Sequence, residues 1–104
     1  MSDVTNLILS ISIDDDEQGK LKEVNTYFLA RQTKPLISVD DPSLPKAWYG
    51  GSKFLECALS VGAFNHLDLD AFLDHLRSLQ WRWPDQVQVI AKEQEDLKFT
   101  IREL

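Results

Sequence analysis

Apolar residues along this chain recur with a strand-like period of two in some stretches and a helix-like period of about 3.6 in others, and the order of these stretches limits the folds open to it. Residues 4–13 alternate, with Leu7, Leu9, Ile11 and Ile13 on one face and Asn6, Ser10 and Ser12 on the other, which predicts a strand. Asp14, Asp15 and Asp16 follow. Asp14 with Glu17 three residues later has the spacing of an acidic capping box, and negative charge there suits the positive end of a helix dipole. Over residues 17–31, Leu21, Val24 and Phe28 recur at steps of three and four, predicting a helix with Lys20, Lys22 and Glu23 turned outward. Gly19 weakens it by up to about 1 kcal/mol relative to Ala. Pro35 bars continuation and opens a short apolar run, residues 36–39, read as a second strand.

Residues 40–53 hold two prolines, two adjacent glycines and the pair Trp48-Tyr49, which is turn chemistry and marks a long loop. Residues 54–64 then alternate, with Leu55, Cys57, Leu59, Val61 and Ala63 assigned to the core face and Glu56, Ser60 and Gly62 to the other, together with Phe54, Ala58 and Phe64. Cys57 is accordingly expected to act as a small buried hydrophobe. Asp68 is placed to cap a helix whose stripe is Leu69, Phe72, Leu73, Leu76 and Leu79, ending near Trp81 ahead of Pro84. Val87, Val89 and Ala91, and after a charged interruption Leu97, Phe99 and Ile101, predict a terminal hairpin.

Strand, helix, strand, strand, helix, strand is the βαββαβ order of two split βαβ units, so the expected class is α+β. The expected architecture is a ferredoxin-like antiparallel sheet with two helices on one face and an extra C-terminal edge strand. The rival is a different α+β sheet in which the strand at residues 36–39 is absent or the last two strands pair elsewhere. One domain spanning residues 1–104 matches a chain of this length.

The start, Met1-Ser2-Asp3, has neither a basic region nor an apolar signal core, from which a cytoplasmic location is expected. A net charge of -6 repels phosphate backbones and anionic membranes, so neither nucleic acid nor membrane is expected as a partner. The single cysteine excludes a disulfide within the chain. Carboxylates cluster at Asp14 to Asp16, at Asp40 with Asp41, and at Asp68, Asp70 and Asp74, but without the ligand spacing of a known metal motif, and no metal or cofactor is expected. His66 and His75 each lack a neighbouring nucleophile, and Gly50-Gly51 leads into a strand, so it does not open a phosphate-cradling helix.

The aromatic residues outside the periodic segments are the candidate contact residues: Trp48, Tyr49, Trp81 and Trp83, with Arg82 between the last two. Each tryptophan is weighed between plugging the end of the core and meeting a partner. The stretches 49–57, Gly62-Ala63-Phe64-Asn65 and Lys92-Glu93-Gln94-Glu95-Asp96 resemble small uncharacterised proteins of bacteria and their phages over roughly the last half of the chain. That resemblance assigns no residue a role and implies only a bacterial or phage setting. The expected function is a small acidic protein-binding module, such as an inhibitor, immunity or anti-defence factor, not an enzyme, with an acidic and aromatic surface offered to a larger protein. The alternative is a small-ligand sensor in which Trp48, Tyr49 and Trp83 wall a pocket, and a third is an enzyme using His66. A homodimer paired through the free edge of the last strand is also expected.

Overall fold

The computed structural model describes residues 3–45 and 56–104. Among them the chain forms β1 (Val4–Ile11), α1 (Glu17–Ala30), β2 (Ile37–Ser38), β3 (Ala58–Asn65), α2 (Leu69–Ser78), β4 (Gln88–Lys92) and β5 (Thr100–Glu103), with one 3-10 turn at Pro84–Gln86. The strands form a single sheet in the order β2-β3-β1-β4-β5, and each neighbouring pair is antiparallel. β3 lies between β1 and β2, and β1 lies between β3 and β4, so two split βαβ units interleave. This is the ferredoxin-like α+β arrangement, with β5 added beyond β4.

Leu7, Leu9 and Ile11 from β1, with Val87, Val89 and Ala91 from the β4 side, share one core with Val24, Tyr27 and Phe28 of α1 and Leu69, Phe72, Leu73 and Leu76 of α2. Alternate residues of a strand project to the same side, so both helices cover the same face of the sheet. Phe28 stacks on Phe64 with ring centroids 4.1 Å apart and meets Phe72 at 5.0 Å. Burying a side chain of this kind contributes roughly 1.5–3 kcal/mol.

Three expectations are corrected. On β3 the helices cover Ala58, Ser60 and Phe64, whereas Val61 and Ala63, and Cys57 just ahead of the strand, are exposed, the reverse of the face assigned from the alternation. The reason is room. A Cβ on Gly62 would approach the Phe64 ring and the Leu36 side chain to within 3.0 Å, so the small residues on this side let those two fill the core. Second, β1 stops at Ile11, and Ile13 points to solvent beyond a turn in which the Asp15 amide donates to the Ser12 carbonyl at 3.1 Å. Third, the cap of α1 is Asp16, whose carboxylate accepts from the Gly19 amide at 3.1 Å; Asp14 lies outside the helix. Asp68 caps α2 as expected, accepting from the Ala71 amide at 3.1 Å.

α1 ends without glycine. The Gln32 amide donates to the Leu29 carbonyl and the Thr33 amide to the Phe28 carbonyl, the paired bonds of a Schellman motif, with Gln32 at φ 58°. The next segment is held from the helix side: the buried Asn25 carboxamide donates to the Leu36 carbonyl at 3.0 Å and accepts from the Leu36 amide at 2.9 Å. Leu36 is thereby kept in the core, 2% exposed, at the threshold of a β2 only two residues long.

Among the described residues, no helix lies on the other face of the sheet. Ile37 pairs with Val61, Val61 with Ile8, Ile8 with Ile90, and Ile90 with Ile101, so one β-branched aliphatic residue from each strand forms a row across the whole sheet.

Candidate functional site

Two turns that are far apart in sequence meet at one end of the molecule. The first, residues 12–16, follows β1 and delivers Asp14, Asp15 and Asp16 to the start of α1. The second follows α2, whose C-cap is Leu79, and continues through Trp81, Arg82 and Trp83 into the 3-10 turn at Pro84–Gln86. The Arg82 amide donates to the Asp15 carboxylate at 3.1 Å across a sequence separation of 67 residues. This bond joins the acidic turn to the aromatic one.

The two tryptophans beside Arg82 have different environments. Trp81 is half-buried against the core, its indole N–H donating to the Leu76 carbonyl at 2.8 Å. The Lys20 ammonium lies 5.9 Å from its ring centroid and also donates to the Gln80 carbonyl, so Trp81 is a wedge between α2 and α1. Trp83 is 41% exposed, although its carbonyl accepts from the Gln86 amide at 3.0 Å and so fixes its backbone. Asp85, exposed, adds a carboxylate to the same turn. The corner therefore offers one large exposed ring whose backbone is hydrogen-bonded in a turn, and both segments contribute carboxylates to it. Trp48 and Tyr49, and the Gly50-Gly51 pair, lie outside the described residues.

Beside this corner, a groove of about 410 Å³ runs between α1 and residues 38–42. Glu17, Lys22, Asp40 and Asp41 line it, and the Ser38 hydroxyl donates to Glu17 at 2.8 Å. Among the described residues no three His, Cys, Asp or Glu side chains converge as a metal site would require. No buried side-chain nitrogen or oxygen among them lacks a partner.

The histidines sit apart from this corner. One ring nitrogen of His75 is 3.1 Å from the Glu23 carbonyl, and the ring tilts against Tyr27 at 5.5 Å, so it serves the packing of α2 on α1. His66 occupies the turn between β3 and α2 at φ 56°, its amide donating to the Asp3 carbonyl at 2.8 Å.

Two features were missed from sequence. Asn25 breaks the apolar pattern of its helix, yet four positions after Leu21 and three before Phe28 it shares their buried stripe. The aliphatic row was hidden because β3 carries apolar residues on both sides, and period-two reasoning then has no unique answer. No helix of the described residues is long and apolar enough to cross a membrane. No protein-family model matches the chain, and no curated protein or solved structure gives a significant match, so its own residues carry the functional reading.

Proposed function

We propose that the protein is a small acidic protein-binding module that presents Trp83 and Arg82, within a carboxylate-rich corner, to a basic surface on a larger protein. The observation that carries this reading is the bond from the Arg82 amide to Asp15, which holds an exposed indole beside the acidic approach to α1. Tryptophan and arginine are among the residue types enriched in binding hot spots, and the indole removes much apolar area from water at little conformational cost. A net charge of -6 adds long-range attraction to a basic partner and so raises the rate of encounter. Trp81 belongs to this reading as the wedge that positions Arg82 and Trp83, and Trp48 and Tyr49 remain candidate contacts. Inhibitors, immunity proteins and anti-defence factors work by such surface capture. A cytoplasmic setting accords with the exposed thiol of Cys57, which has no partner cysteine in the chain.

Affinity purification from the native host at low salt should recover one stoichiometric partner. Trp83→Ala should weaken that complex by about tenfold or more, as truncation of a hot-spot residue does. Added salt should weaken it further. A partner held equally well by Trp83→Ala and by Asp15→Asn, or no stoichiometric partner at all, refutes the reading.

One observation favours a small-ligand sensor as a second reading: Arg77, Leu79, Trp81, Pro84 and Leu104 line a hollow of about 610 Å³. Metabolites that fill it should shift tryptophan emission in the isolated protein, which a protein-binding corner would not do.

A further inference from the structure

We propose that the open face of the sheet is the interface of a homodimer, in which two copies stack sheet to sheet with Ile8 of each at the centre. This is independent of the acidic corner, and it uses a face of the sheet, not an edge.

Ile8 belongs to β1, the middle strand, and the row Ile37, Val61, Ile8, Ile90 and Ile101 extends two strands to each side of it. Ile37, Val61 and Ile101 are exposed, the last at 58%. The paired positions flanking this row are Leu59, Ser10, Gln88 and Glu103 on one side and Ala63, Asn6 and Lys92 on the other. A row of branched aliphatics, bordered by the further apolar residues Leu59 and Ala63 and by the small Ser10 and Asn6, suits sheets that pack about 10 Å apart with interdigitating side chains.

Charge selects a second copy over an unrelated protein. Each chain carries -6, so most of its surface repels another copy. The paired positions of the open face hold only Lys92 and Glu103 as charges, one of each sign on opposite flanks of the row. A two-fold axis along the row lays each flank over the opposite flank of the partner, which brings Lys92 toward the partner's Glu103 twice. A face that is locally neutral and complementary to itself is what an isologous contact requires.

The area suits a weak dimer. Only β1 and β3 run eight residues, while β2, β4 and β5 have two, five and four, so with strands about 4.8 Å apart the projected footprint is roughly 430 Å² per copy. That lies below the roughly 600 Å² per partner of a standard interface, in the range of reversible contacts that form at high protein concentration.

Sedimentation equilibrium of the full chain at high micromolar concentration should give twice the chain mass of 11.9 kDa. Ile8→Lys should give a monomer, and so should Ile101→Lys, whose exposed site keeps a folding defect from explaining the result; a cooperative melt by circular dichroism verifies the fold of each. Lys92→Glu alone and Glu103→Lys alone should each weaken the dimer by about tenfold, and the double exchange should restore it. A wild-type monomer overturns the proposal. So does a dimer that survives both lysine substitutions, as one paired through the β5 edge would, or a double exchange that fails to restore association in folded protein.

Discussion

Asn25 takes the place that a neighbouring strand residue would fill. Both of its carboxamide bonds go to the backbone of Leu36, so the amide and carbonyl of one residue at the sheet margin are satisfied from a helix. Asn25→Leu keeps the branched shape but leaves two buried backbone groups unpaired, at about 1–3 kcal/mol for each such group. The expected result is a loss of roughly 2–6 kcal/mol, read as a lower urea midpoint with an unchanged slope. Helical spacing places Asn25 on the buried stripe, but no local pattern names its partner, because that partner belongs to another element. The same holds for the tryptophans: Trp81 and Trp83 flank Arg82 alike in sequence. What separates them is the Leu76 carbonyl, which takes the Trp81 indole N–H and leaves Trp83 outside.

Helix ends show how a local signal can be right about an element and wrong about its boundary residue. Three aspartates precede α1, and each has the chemistry of a cap; the turn that returns the Asp15 amide to Ser12 consumes two of them before the helix begins. Asp16→Ala should therefore cost about 1 kcal/mol, and Asp14→Ala less than about 0.5 kcal/mol, compared by thermal melting of the two variants. At the far end of α1 the left-handed position of the Schellman motif is taken by Gln32, where a side chain is strained. Gln32→Gly should relieve that strain and stabilise the protein by roughly 0.5–1 kcal/mol, seen as a rise in Tm of a few degrees, even though glycine normally weakens a fold through the entropy of its unfolded chain. β3 was legible as a strand and illegible as to its sides, since Leu59, Val61 and Ala63 outweigh Ala58, Ser60 and Gly62 in bulk. Helices packed close above a strand favour the smaller set.

At the scale of the molecule, the βαββαβ order could be read because the periods change cleanly at Asp14 to Asp16, at Pro35 and around His66 to Asp68. The strand order then followed from interleaving two split units. The acidic corner could not be read as a unit, because Asp15 and Arg82 come together only once α1 and α2 lie side by side on the sheet. A layer whose described helices both lie on one side gives its strands two separate duties. In β1, Leu7 and Leu9 hold the fold together, while Ile8 between them meets the surroundings. Natural variation can therefore reshape what the molecule encounters by altering every second letter of a strand, leaving its melting behaviour almost untouched, whereas deletion of a single residue inside β1 would trade the two duties and forfeit both at once.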